Sequence, residues 1–350
     1  MCDAFPLQLG HVILRKVEET TLPFCPGEFF KTEACVAQES AHGSRPALGT
    51  PAGHRETQDC KDVISMVEAV EWLWPDYMDA EGNLKLMVQM YIIEMPSGKR
   101  IAVDTCIGNE KNLGEERFPK VHLKVDPFLE RLHDAGCPPE SIDTVLCTHL
   151  HFDHVGFNTV KADGAWVPLF PKARYLVAKA EWESFQEELA RGRASFQDSA
   201  SIFDESLRPV VDAGQLELLE APCALAEEPG ARVSAAPTPG HTPGHVSVVV
   251  ESQGLSAVIT GDCLHHPAQL AHPELGTYYD ACSAEAGETR RALLEDAAER
   301  RVLLVGSHFP APSAGYVRET ARGAGRYELL PLARGARPEP LRGGPRGAGR

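Results

Sequence analysis

Several things are scarce in this 350-residue chain, and each scarcity removes a class of function. Basic charge is short: 34 Lys and Arg against 50 Asp and Glu leave a formal net charge of −16. Such a surface repels a phosphate backbone, so nucleic acid is not expected as a partner. No apolar run exceeds strand length, so no membrane-spanning helix is expected and no membrane partner. The opening "MCDAFPLQLGHVILRKVEE" lacks a basic segment followed by a long apolar core, and so reads as no secretory signal. The ten cysteines include no C-x-x-C pair. That fits free thiols and a cytoplasmic location. What is present is ordinary for a globular protein: 43% hydrophobic and 24% charged residues, on a chain long enough to bury a large core.

Two segments stand apart from the rest. Residues 37–59, "AQESAHGSRPALGTPAGHRETQD", are poor in large apolar residues and read as a flexible insertion, with His42 and His54 solvated. From Ala333 the Arg-, Gly- and Pro-rich "ARGARPEPLRGGPRGAGR" reads as a disordered tail (333–350), leaving one domain over 1–332. In between, strands and helices alternate. "LMVQMYIIEM", "PSGK" and "RIAVDT" make a hairpin, and "HVSVVVES" with "LSAVITGD" makes a second. Helices are expected over 126–136, 178–192, 198–214 and 286–301, and "VLLVGSH" reads as the last strand. The hairpins "MYIIEMPSGKRIAVDTC" and "VSVVVESQGLSAVITGDC" echo each other. Either two similar halves are present, giving a four-layer αββα sandwich of two mixed sheets, or two amphipathic hairpins resemble each other by chance. The apolar stretches Phe5 to Leu14 and Leu22 to Phe30 leave room for a homodimer interface.

The stretch "THLHFDHVG" (Thr148 to Gly156) carries three His and one Asp within six residues, directly after the apolar "IDTVLC". A lone His there would be a packed core residue; four ligand-type side chains at H-x-H-x-D-H spacing point to a metal. Ligands belong where strands end, because strand termini fix side chains while loops leave an ion accessible. By that rule the candidates are His149, His151, Asp153, His154, His245, Asp262 and His308. Catalytic zinc usually keeps three protein ligands and an open position. Seven ligands therefore suit two divalent ions: His149, His151 and His245 on one, Asp153, His154 and His308 on the other, and Asp262 between them. Zinc leads, with Mn, Fe or Co as alternatives.

"THLHFDHVG", "TPGHTPGH", "TGD" and "GSHF", in this order over Leu84 to Gly315, resemble the metallo-β-lactamase superfamily. The resemblance implies the αββα fold. "GDCLHHPAQ" and "SHFPAPSAG" look like its methyl-parathion-hydrolase and lactonase-like branch. Acyl-homoserine-lactone lactonases place Tyr three residues after the bridging Asp, where this chain has His265.

The implied activity is hydrolysis of a small ester, lactone or phosphotriester through a metal-bridging hydroxide. Asp153 is a candidate proton acceptor, and His265 or His266 a candidate proton donor, against the plain alternative of packed imidazoles. Phe157, Phe309 and Tyr278 or Tyr279 are candidate pocket walls, Asp104 a candidate orienting group for a ligand, and Cys263 a packed thiol. The rival readings are a mononuclear iron persulfide dioxygenase-like oxidoreductase and a nuclease of the same superfamily.

Overall fold

The computed structural model describes residues 5–35, 37, 57–114, 119–191, 199–320, 325–333, 335 and 338. Two seven-stranded mixed sheets form the frame, and in each the spatial order of strands follows their order along the chain. The first sheet holds β1 (Leu7–Leu9), β2 (Val12–Phe24), β3 (Leu84–Glu94), β4 (Arg100–Val103), β5 (Thr144–Cys147), β6 (Arg174–Ala178) and β7 (Leu216–Leu219). The second holds β8 (Cys223–Glu228), β9 (Ala231–Pro237), β10 (Val246–Ser252), β11 (Leu255–Ile259), β12 (Leu303–Val305), β13 (Ala314–Glu319) and β14 (Tyr327–Pro331).

Side chains alternate across a strand, so a strand covered on both sides is apolar on both. β3 shows the consequence. Tyr91 and Ile93 pack with Ile101 and Leu146 of their own sheet and with Val248 and Ile259 of the other. Met90 and Ile92 point the opposite way, onto Phe128 and Leu132 of helix α2 (Phe128–Asp134). On the far side, Val258 and Leu304 meet Val63 and Val67 of α1 (Gln58–Glu68) and Leu294 and Ala297 of α4 (Ser283–Arg300). Three apolar layers between four structural layers give the αββα sandwich. A one-residue slip of β3 would exchange its two faces, so its register is tightly held.

The hairpin echo is architectural. β3 pairs antiparallel with β4, which pairs parallel with β5; β10 pairs antiparallel with β11, which pairs parallel with β12. Asp104 and Asp262 follow equivalent strands, β4 and β11.

Three expectations need correction. "VLLVGSH" is not the last strand, because β13 and β14 follow it and complete the second sheet. Leu7, Leu9, Val12 and Leu14 are not spare for an interface: they are buried between the sheets. Gln58 and Asp59 belong to α1, capped by the Thr57 hydroxyl accepting from the Cys60 N–H, so the expected insertion ends earlier. Most of that insertion, and most of the expected tail, lie outside the described residues. Within 198–214 the described chain is helical from Ser199 to Asp212, with a π turn over Phe203–Leu207 before Pro209. Among the described residues no helix is long and apolar enough to cross a membrane, and the described cysteines are free thiols.

Candidate metal centre

Four chain segments reach one edge of the sandwich, each leaving the C-terminal end of a strand: 148–154 after β5, 238–245 after β9, 260–265 after β11 and 306–309 after β12. They bring together two groups of ligand-type atoms. His149, His151, His241 and Asp262 form one, and Asp153, His154 and His308 the other, with the atoms of each group within 4.8 Å of one another.

Asp262 stands between them. Its Oδ2 lies 3.3 Å from His241 Nε2 and 3.6 Å from His149 Nε2. Its Oδ1 lies 3.3 Å from His154 Nε2 and 3.1 Å from His308 Nε2. One carboxylate thus addresses both groups with separate oxygens. Burial alone would raise its pKa, but His154, His308, His265 and His149 hold it well below the usual carboxylate range. Asp153 adds its own oxygens, 3.6 Å from His308 Nε2 and 3.8 Å from His154 Nε2.

The tautomers follow from what lies behind the rings. His154 Nδ1 faces Asp104 Oδ2 at 2.9 Å, His241 Nδ1 faces Asp280 Oδ1 at 3.0 Å, and His308 Nδ1 faces the Met87 carbonyl at 2.8 Å. Each partner is an acceptor, so each Nδ1 carries the proton and each Nε2 turns a lone pair inward. His154 Nε2 and His308 Nε2 then face each other at 3.1 Å. Two facing lone pairs would repel, and a cation between them removes the conflict. That cation is a proton in the metal-free chain, where against the effect of burial Asp262 and Asp104 raise the His154 pKa and Asp262 raises that of His308, or a metal ion in its place. His149 Nε2 and Asp262 Oδ1 are buried with no hydrogen-bond partner, which is costly without an ion. Burial and neighbouring imidazoles push His149 and His151 well below the ordinary His pKa, toward the neutral form that binds metal. The donor set fits divalent ions.

Asp104 plays the expected orienting part. It follows β4 with φ of 57°, accepts from the Thr148 N–H at 2.8 Å and hydroxyl at 3.0 Å, and backs His154.

His245 departs from its expected place. Its Nδ1 is engaged by Thr238, 2.8 Å from the hydroxyl and 3.1 Å from the carbonyl, and its Nε2 accepts the Asp262 N–H at 2.8 Å. No lone pair remains for an ion, and burial lowers its pKa to about 3. It shapes the Asp262 turn from behind: a Cβ on Gly261, whose φ is +53°, would sit 2.4 Å from His245 Nε2. His241, four residues earlier in "TPGHTPGH", holds the position assigned to His245. Both lie in one motif; the signal that separates them is Asp280, whose backing of His241 is not visible in the sequence.

The cavity above the two groups is apolar on its other sides. Leu22 and Phe24 of β2, Leu86 and Val88 of β3, Phe29, Phe152 and Tyr279 wall it. Tyr279 is therefore the expected wall residue that the structure places there. Phe157 stacks on Phe128 and Phe309 is fully buried, so both are core. Tyr278 lies over the Lys31 ammonium, and its hydroxyl meets Asp59. Cys263 is a packed thiol, pushed up to about 12 by burial. His265 borders the cavity, with Nε2 3.1 Å from Asp262 Oδ2. His266 points away, with Nε2 2.9 Å from the Tyr77 carbonyl.

Residues 84–308 match the family described as the metallo-beta-lactamase superfamily. This chain belongs to that superfamily. Among curated relatives it is 29% identical over 189 residues to an N-acyl homoserine lactonase of Bacillus cereus, covering 51% of this chain and 64% of that one. A second N-acyl homoserine lactonase, from Bacillus sp, is 28% identical over 186 residues, covering 50% and 63%. The chain spans less than two thirds of the length of these relatives, which fall where the lactonase-like motifs point. Among solved structures, the hydrolase AbOPH of the beta lactamase superfamily aligns with TM-score 0.68 at 20% identity, covering 95% of this chain and 98% of that one. AidC, a dizinc quorum-quenching lactonase in complex with a product, aligns with TM-score 0.62 at 18% identity, covering 93% and 96%. At these identities the superpositions speak for the fold.

Proposed function

We propose that this chain is a binuclear metal-dependent hydrolase acting on a small, uncharged ester, lactone or phosphotriester. The observation that carries the reading is Asp262, whose two oxygens face two separate groups of imidazole nitrogens at 3.1–3.6 Å. His149, His151, His241 and Asp262 Oδ2 would hold one divalent ion, zinc first among the candidates; Asp153, His154, His308 and Asp262 Oδ1 would hold the other. Such ions supply an acidified water and an electrophile for a carbonyl or phosphoryl oxygen.

The protein's own groups do the rest. Asp104, Asp280 and the Met87 carbonyl keep the Nδ1 protons in place, so the ligand lone pairs stay aimed inward. Asp153 keeps part of its carboxylate at the open side, with a side chain 18% exposed, and can take up the proton that an attacking water releases. His265 carries its proton at Nε2, toward Asp262, on the substrate's side of the site. It can pass that proton to a leaving oxygen. Leu22, Phe24, Phe29, Leu86 and Val88 exclude water and take an apolar acyl or aryl group. Among the described residues no Lys or Arg lines the cavity, which favours an uncharged substrate.

The test is elemental analysis of protein supplied with Zn, Mn, Fe or Co, followed by turnover of lactones, aryl esters and phosphotriesters. About two ions per chain, with hydrolysis abolished by chelation and restored by metal, is the expected result. A reproducible single ion, or no turnover across all three classes, would overturn the proposal.

A further inference from the structure

His149 and His151 leave the first sheet, whereas His241 leaves the second. Any ion they share depends on how the two loops are spaced across the seam. Glu181 lies at that seam, in the first turn of α3 (Lys179–Ala190), directly after β6. Its side chain does not serve its own helix. Oε1 accepts the N–H of Leu150, between His149 and His151, at 3.0 Å, and Oε2 accepts the N–H of Gly244, between His241 and His245, at 3.1 Å. Gly244 completes the fit. A Cβ there would lie 2.0 Å from the Glu181 nitrogen, so only glycine lets the second loop seat against the first turn of α3.

A carboxylate that is 4% exposed is costly to bury unless it is compensated. Here two backbone N–H groups, one from each ligand loop, offset part of that cost. We infer that Glu181 is a positioning residue for the first ion, a two-oxygen stitch that sets the separation of His149 and His151 from His241. The second group, Asp153, His154 and His308, is aimed by Asp104 and the Met87 carbonyl instead. Glu181 therefore acts on one ion and not on the other. This inference rests on the two-ion reading above.

Glu181→Gln separates the possibilities. The amide keeps one acceptor and turns a donor toward the other loop's N–H, so one half of the stitch is broken at nearly constant shape. Glu181→Asp keeps both acceptors on a shorter arm and should recover part of the loss. Wild type and both variants are titrated with Co(II) against a competing chelator, following the visible Co(II) absorption, and melted alongside. In Glu181→Gln one binding step should weaken about 10- to 100-fold, as for other groups that orient metal ligands, with the other step unchanged. A role in packing alone would lower the melting temperature and leave both steps as they were. Two unchanged steps, two equally weakened steps, or loss of a cooperative melt in both variants would each overturn the inference. A wild-type chain holding one ion would fail the two-ion reading; Glu181 is then judged by whether Glu181→Gln weakens that ion, and a wild type holding none overturns both.

Discussion

Replacing Asp262 by Asn tests the bridge and the hydrolytic reading built on it. The change is nearly isosteric, so packing contributes little. What changes is charge and donor sense. In the wild type, Oδ1 faces His154 and His308 while Oδ2 faces His149 and His241, all at 3.1–3.6 Å. An amide must turn its NH2 toward one of these groups, where its hydrogens meet inward lone pairs and displace an ion; the group facing the amide oxygen keeps its own. A unit charge pair at 4 Å in a medium of effective dielectric near 20 is worth ~4 kcal/mol. Even roughly three quarters of that matches the ~3 kcal/mol of a hundredfold rate change. The expected outcome is one ion lost per chain and kcat lower by on the order of 10²-fold or more. Elemental analysis and turnover per chain, measured on one preparation, give both readouts. An Asp262→Asn variant that keeps two ions and turns over within about threefold of wild type would refute the bridging role and the mechanism that depends on it.

Three further outcomes can be measured independently. His241→Ala should cost one ion per chain, whereas His245→Ala should keep both and lower stability by about 1–3 kcal/mol, because it strands the buried Asp262 N–H; the reverse pattern would restore the sequence-based assignment. Gly156→Ala should destabilise by roughly 3 kcal/mol or more in denaturant melts, because its Cβ would sit 1.7 Å from the Ile107 carbonyl oxygen, a backbone atom that cannot swing aside. Lys111 lies over the Trp166 ring at 3.6 Å, and burial lowers its pKa from 10.5 to about 7; between those values the unfolded chain holds a proton that the folded chain does not. Stability therefore rises with pH through that window, by up to ~1.4 kcal/mol per unit, and Lys111→Met should flatten the rise. An unchanged slope would contradict it.

Much of this is legible in the sequence because its signals are local. Strand alternation and two hairpins with matching ends predict both sheets, and H-x-H-x-D-H after an apolar strand predicts most of the centre. The errors arise where a decision depends on partners far along the chain. Nothing near "TPGHTPGH" says which of its histidines faces the ion. The choice is made by Asp280, 39 residues beyond His241, and by the Asp262 N–H, 17 residues beyond His245. The pocket walls escape the sequence for a similar reason: Leu22, Phe24 and Phe29 precede the family-matched region at 84–308, and an early apolar stretch reads equally well as an interface.

The two halves explain why the centre needs partners from so far away. Equivalent strands β4 and β11 are each followed within three residues by an aspartate, Asp104 and Asp262, but the two do different work. Asp104 stays behind its loop and orients His154, while Asp262 projects between the two imidazole groups. The half that supplies the bridge supplies only two of the five imidazoles in the two groups, His241 and His308; the other half supplies His149, His151 and His154. Neither half can assemble either group alone, since the first needs Asp262 and His241 and the second needs His308. Metal affinity must therefore depend on how the halves are docked. Substitutions between the sheets, at Ile93 or Val248 for example, should loosen ion binding although they touch no ligand.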